Sequence, residues 1–142
     1  MNNDHASSRT GGAPRWPAAL GGLAACAGIA LDALAAHALV SRFGAYELGV
    51  LATAARYLVV HGLLLLVIVA WRRDAPSAPL LNVAAALAAT GIVLFCGGLT
   101  ARILTGVHAL GAAAPYGGTA FMAAWLACGL HGLRHGFRID RA

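Results

Sequence analysis

The sequence contains no lysine, so its ten basic residues other than histidine are all arginines. Only 11% of the 142 residues are charged, whereas 60% are hydrophobic, a balance far outside that of soluble proteins. This scarcity of charge leaves no room for a soluble enzyme domain of ordinary size. It also argues against nucleic acid as a partner, because the arginines behind the net charge of +5 cluster at the ends of apolar segments.

Motifs of catalytic and phosphate-binding sites are missing as well. The sequence has no Ser-x-x-Lys, Gly-x-Ser-x-Gly or His-Glu-x-x-His motif, no carboxylate pair and no phosphate-binding glycine loop. Cys26 and Cys96 stand inside apolar segments without zinc-site spacing. Cys128, His131 and His135 have the one-turn spacing of a soft metal site, but histidine beside arginine at a membrane boundary is ordinary. We therefore expect no enzyme activity, no cofactor and no metal site.

Four apolar segments dominate the chain. Residues 50–71 form the most apolar one, which as a helix is about 33 Å long and crosses the roughly 30 Å hydrocarbon layer of a membrane. A cleaved signal peptide is a weaker alternative for the first segment, because its apolar run is long and contains Asp32. We predict an all-α membrane protein of four transmembrane helices with short loops, at residues 18–39, 50–71, 80–104 and 117–135, between tails at 1–17 and 136–142.

The arginines also predict the orientation of these helices. The N-terminal tail, the middle linker and the C-terminal end from Arg134 onward together hold seven arginines, whereas the other two loops hold only Arg42. Because arginine-rich loops stay in the cytoplasm, both termini are predicted to be cytoplasmic. The lipid bilayer is then the main surrounding of the chain, and a second copy or other membrane proteins are its expected partners.

Polar side chains inside the apolar segments form the candidate site. Asp32 and Arg56 each lie about seven residues from the outer end of their helix, so the sequence predicts an ion pair at matching depth. Such a pair either fixes helix register or lines a polar pocket; the remaining alternative is that the two residues never meet. Such groups are costly to remove from water and to place against lipid. We therefore expect the cluster to face the inside of the bundle, where its members can contact one another. The candidate residues are Asp32, His37, Arg56, Tyr57, His61 and Arg102.

Small residues supply the expected contacts between helices. Without a hydrophobic drive between helices in lipid, glycine allows close approach of their backbones. The predicted helix-packing glycines are Gly28, Gly91, Gly97, Gly98, Gly117 and Gly118.

Four stretches together resemble the YgdD/YwdK family of small bacterial membrane proteins. They are 33–39 (ALAAHAL), 57–66 (YLVVHGLLLL), 91–106 (GIVLFCGGLTARILTG) and 115–126 (PYGGTAFMAAWL), and the Pro-x-Gly-Gly-x-x-Phe element of the last is the most specific. The resemblance covers about residues 20 to 130. It implies a four-helix protein of the bacterial inner membrane and implies no activity.

The chain departs from that family pattern at four positions. Asp32 replaces a usual glycine, Arg56 replaces a glutamine or glutamate, and Cys96 and Gly98 replace serines that flank a glycine. Two functions therefore stand as hypotheses. The first is a non-enzymatic protein that associates through its helix faces. The alternative is a small dimeric carrier or proton-linked permease that uses the Asp/Arg/His cluster.

Overall fold

Four long helices and one short 3₁₀ helix, at His108–Ala113, run through the computed structural model, which describes residues 15–74 and 78–135. No strand occurs within those ranges. The predicted tails at 1–17 and 136–142 lie almost entirely outside them. The helices are α1 (Trp16–Ala38), α2 (Ala45–Asp74), α3 (Pro79–Thr105) and α4 (Ala114–His135).

Local chemistry decides where the helices begin and end. Proline in the first turn of α1 and of α3 fixes the backbone angle without losing a needed N–H group. The start of α2 differs from the predicted residue 50, because Glu47 accepts a hydrogen bond from the Gly44 N–H at 2.6 Å and caps a longer helix. Gly106 ends α3 in the left-handed region, at φ 73°, where glycine carries no steric penalty.

The first hairpin pairs α1 with α2. A Cβ added to Gly21 would lie 2.7 Å from the Gly62 carbonyl oxygen, and one added to Gly28 would lie 2.7 Å from that of Ala55. The two backbones therefore approach as closely as only glycine allows. Gly62 precedes a run of leucines, and nothing in the sequence indicates that it makes such a close contact.

The second hairpin pairs α3 with α4. Gly91 lies under the ring of Phe121, and a Cβ added to Gly117 would lie 2.8 Å from the Cβ of Phe95. Buried alanines fill the rest of this contact. The crossing of α3 and α4 thus depends on two glycines that each face an aromatic residue.

Two helices contain a π-helical turn, at Leu34–Ala38 in α1 and at Ile92–Gly97 in α3. In the first, the Leu39 N–H bonds the Leu34 carbonyl at 2.9 Å, five residues back. A π-turn inserts an extra residue and rotates the side chains that follow, and such turns often occur near functional sites. The second turn contains Phe95, which reaches toward α4.

The outer surface of the bundle is apolar. Large hydrophobic side chains such as Leu23, Leu126 and Leu133 are between 68% and 86% exposed. Helices α1, α2 and α3 are each long and apolar enough to cross a membrane. Helix α4 has 22 residues but a more polar last turn, with Arg134 and His135.

Candidate functional site

An aromatic cluster surrounds His61 at the middle of α2. Its ring stacks on Phe121 with centroids 3.4 Å apart and meets Trp125 edge-on at 6.3 Å. Trp125 Nε1–H donates a hydrogen bond to His61 Nε2 at 3.3 Å, so the ring proton resides on Nδ1 and donates to the Tyr57 carbonyl at 2.9 Å. His61 is only 3% exposed, and both of its nitrogens have partners. The geometry therefore fixes a neutral imidazole as a packing element.

A cavity of about 630 Å³, here called the α2–α4 cavity, opens beside this cluster. Its walls are mainly apolar and aromatic, and Arg56, Tyr57, His61 and Thr119 contribute polar atoms to the lining. The Thr119 hydroxyl donates to the Tyr116 carbonyl at 2.8 Å and so needs no ligand. The cavity is lined by Arg56, Tyr57, Val60, His61, Phe95, Pro115, Gly118, Thr119, Phe121, Met122 and Trp125.

The six candidate polar residues do not form one inward-facing cluster, and that expectation is wrong. Of the six, only His61 is buried. Asp32, His37 and Arg56 are exposed on the outside of the bundle, and Tyr57 is 40% exposed. The physical reason is helical phase, since the buried stripes of α1 and α2 are occupied by small residues and leucines.

Arg102 lies apart from the others near the end of α3. It is half-buried, and its side-chain carbons lie over Gly111 of the connection to α4. It shares a shallow groove of about 350 Å³ with Tyr46 and Thr53. Of the six candidates, Arg56, Tyr57 and His61 line the α2–α4 cavity.

Asp32 and Arg56 do not form the predicted ion pair, and neither has an ion-pair partner in residues 15–74 and 78–135. The contact of Gly28 with Ala55 places Asp32, one turn further on, opposite Leu51. Arg56 is thus about 7.5 Å further along α2 than the predicted matching depth. The earlier start of α2 accounts for this offset.

The two charged side chains nevertheless line one groove between α1 and α2, of about 320 Å³. Arg56 leans toward the start of α2, and its Nε–H donates to the Ala52 carbonyl at 3.4 Å. We call this feature the hairpin groove; its lining is Gly28, Ile29, Asp32, Ala55, Arg56, Val59 and Val60.

Comparison with known proteins places the chain in a family. Residues 31–118 match the family described as "Protein of unknown function (DUF423)". The chain belongs to the DUF423 family. Asp32, Arg56 and His61 fall within the matched range, whereas Phe121 and Trp125 lie beyond it.

Two curated relatives of this DUF423 protein carry membrane-protein names. UPF0382 membrane protein SAB0533 of Staphylococcus aureus (strain bovine RF122 / ET3-1) is 33% identical over 107 residues, covering 75% of this chain and 86% of the relative. UPF0382 membrane protein YwdK of Bacillus subtilis (strain 168) is also 33% identical over 107 residues, covering 87% of its own length. No solved structure matches. These names identify membrane proteins and specify no activity.

The six predicted packing glycines of this DUF423 protein occupy different environments. A Cβ added to Gly98 would lie 2.8 Å from the Leu110 carbonyl oxygen, so Gly98 faces the connection before α4. A Cβ added to Gly97 or Gly118 would have its nearest neighbouring atom at 3.8 Å, an ordinary contact distance, so neither position requires glycine for a close approach. The remaining three lie in close helix contacts: Gly28, Gly91 and Gly117.

Two polar residues near the C-terminal ends of α2 and α4 are buried, although nothing in the sequence indicates it. Arg72, predicted to lie in a polar linker, is 7% exposed, and its Nε has no hydrogen-bond partner in the described chain. His131 is 2% exposed and meets the ring of Trp71 edge-on at 5.0 Å. His131 and His135 approach each other with centroids 4.7 Å apart, and no group of three metal-ligating side chains occurs in the described residues.

Proposed function

We propose that the chain is a four-span protein of the bacterial inner membrane with both termini in the cytoplasm. Three helices have the length and apolarity of spans, and α4, at about 33 Å, is long enough to be the fourth. The seven-to-one distribution of arginines supports this orientation.

Reporter fusions test this topology. A reporter that is active only outside the cytoplasm should give signal when fused after residue 44 or 110 and none after 76 or 142. The reverse pattern would contradict the orientation, and signal after residue 142 alone would show that α4 does not span.

We further propose that the protein acts without catalysis, by associating with a second copy through the hairpin groove. One observation carries this proposal: Asp32 and Arg56 lie exposed on one outer groove, and neither is paired within the described residues. The flanking Ile29 and Val60 are 65% and 48% exposed. The surface therefore combines an apolar rim with one acidic and one basic group.

Charge complementarity supports a second copy as the occupant of the hairpin groove. Inserting an Asp or Arg near a helix centre costs about 2.5–3.5 kcal/mol per residue, so two unpaired charges disfavour the isolated chain in a bilayer. In a two-fold dimer, if one residue of the first copy contacts a second residue of the other copy, the reciprocal contact also forms. Asp32 of each copy then contacts Arg56 of the other, and two ion pairs form at once.

Complementary charge reversal tests this association. Wild-type chains labelled with donor or acceptor dyes should show energy transfer in liposomes. Asp32→Arg and Arg56→Asp should each lose it alone, because like charges meet. A mixture of the two variants should regain it, because every contact is again between opposite charges. The milder Asp32→Asn should weaken transfer without reversing charge.

The mixture is the decisive sample. An ion pair inside one chain could not be restored by mixing two chains that each have one reversed charge. A mixture that stays dissociated, or a wild-type chain without transfer, would overturn the proposal.

The proton-linked carrier is less well supported. A relay histidine must exchange its protons, whereas both nitrogens of His61 are engaged, with Tyr57 and Trp125. Flux driven by a pH gradient in vesicles, lost in His61→Gln, would favour the carrier.

A further inference from the structure

The α2–α4 cavity is larger than the groove used for association and lies on the other side of Arg56. Its volume of about 630 Å³ falls within the roughly 300–1,000 Å³ of small-molecule sites. Exposed side chains stand at its mouth, with Met122 62% and Trp125 49% exposed. The cavity therefore opens sideways, toward the surface that the bilayer surrounds.

We propose that the α2–α4 cavity binds one phospholipid of the outer leaflet, with an acyl chain along α4 and the phosphate at Arg56. The lining from Pro115 to Trp125 extends over ten residues, or about 15 Å of helix. That is half of the roughly 30 Å hydrocarbon layer, the depth of one leaflet. In the proposed topology Pro115 stands at the outer surface.

The chemistry of the wall selects an apolar chain. Phe95, Phe121 and Trp125 present aromatic surface, and the polar atoms of His61 and Thr119 are satisfied within the protein. Apart from the Tyr57 hydroxyl and the Arg56 guanidinium, this wall offers a sugar-like or peptide-like ligand no free hydrogen-bond partner, so most of the ligand's polar groups would be buried at a cost. A hydrocarbon chain has no such groups.

The charge at the rim selects an anionic head group. The only hydrogen bond that Arg56 makes in the described chain is from Nε, so its four remaining N–H donors are free. Arg56 leans toward the start of α2, which is the outer end in the proposed topology. A bidentate pair with Asp32 of a second copy would use two donors, so the association and the lipid use different N–H groups.

Native mass spectrometry of the full chain in mild detergent tests this site. The protein is mixed with equimolar dioleoyl phosphatidylglycerol and dioleoyl phosphatidylcholine. Wild type should retain one phospholipid per chain, with phosphatidylglycerol in excess. Gly118 lines the cavity, and an added Cβ there would lie 3.8 Å from its nearest neighbouring atom, so Gly118→Phe brings a ring to the cavity wall. This variant should lower lipid occupancy about tenfold.

A matched control comes from the same helix. Gly129 has no neighbouring atom within 4 Å of an added Cβ and does not line the cavity, so Gly129→Phe should keep wild-type occupancy. Met122→Trp narrows the cavity from an exposed position and should lower occupancy even if Gly118→Phe fails to fold. Arg56→Gln should remove the preference for phosphatidylglycerol while retaining lipid.

Several outcomes would overturn the lipid site. The first is that the wild-type protein retains no lipid. The second is that Met122→Trp and Gly129→Phe retain the same amount of lipid. The third is that the cavity variants keep their lipid but no longer form a dimer. Gly118→Phe, Met122→Trp and Gly129→Phe leave both Asp32 and Arg56 unchanged, so their lipid occupancy can be interpreted whether or not the chain associates with a second copy. Arg56→Gln also alters the hairpin groove, so it tests only the head-group preference.

Discussion

Gly91→Ala should destabilise the protein through the aromatic cluster. The added Cβ would lie 2.9 Å from Cγ of Phe121 and closer still to two other atoms of its ring. The ring is 2% exposed and stacks on His61 with centroids 3.4 Å apart. It cannot swing away without disturbing the stack, so α3 and α4 must separate instead.

The size of the effect follows from two opposing contributions. Overpacking of a filled core typically costs about 1–3 kcal/mol. Replacing glycine by alanine within a helix stabilises the helix by up to about 1 kcal/mol. Gly129→Ala receives the second contribution alone, because its added Cβ meets nothing within 4 Å. The two variants should therefore differ by about 1–3 kcal/mol in the free energy of unfolding.

Unfolding in mixed micelles of a mild detergent and dodecyl sulfate, followed by tryptophan fluorescence, measures this difference. Gly91→Ala combined with Phe121→Leu should recover part of the loss, because the smaller side chain vacates the contested space. If Gly91→Ala proves as stable as Gly129→Ala, the close contact of Gly91 with Phe121 does not exist in the membrane protein.

Three further predictions concern a close contact in the first hairpin, the buried hydrogen bond of His61 and the arginine near the end of α3. Gly62→Ala pushes against a backbone carbonyl of α1 at 2.6 Å and should lower unfolding free energy by about 1–3 kcal/mol, whereas Gly22→Ala, in open space, should not. Trp125→Phe leaves Nε2 of buried His61 without its donor and should cost about 1–3 kcal/mol in the same unfolding measurement. Arg102→Lys should change folded yield little, because either side chain reaches the interface from the end of α3; a large drop in yield would contradict this.

The sequence indicates the helices well because crossing a bilayer demands long apolar runs. All four predicted segments fall on helices. The first and last residues of the helices are harder to predict, because the capping of α2 depends on a contact between Gly44 and Glu47 that hydropathy does not detect. A shift of one helix start then misplaced Arg56 relative to Asp32.

The cavity could not be predicted from spacing alone. His61 is visible in the sequence as a polar residue in an apolar helix, but its partner Trp125 is 64 residues away. Phe95 reaches the cavity from a π-helical turn, whose extra residue breaks the 3.6-residue periodicity on which face assignments rest. Only the packing of the two hairpins brings these side chains together.

Cysteine cross-linking in native membranes tests the proposed association most directly. Cys26 is exposed and is first replaced by serine, while Cys96 and Cys128 are buried and remain. Ile29→Cys, in the hairpin groove, should form a cross-linked dimer on oxidation. The neighbouring Ala30→Cys points to a different groove and should remain monomeric. Equal cross-linking at both positions, or cross-linking at position 30 alone, would contradict association through Asp32 and Arg56.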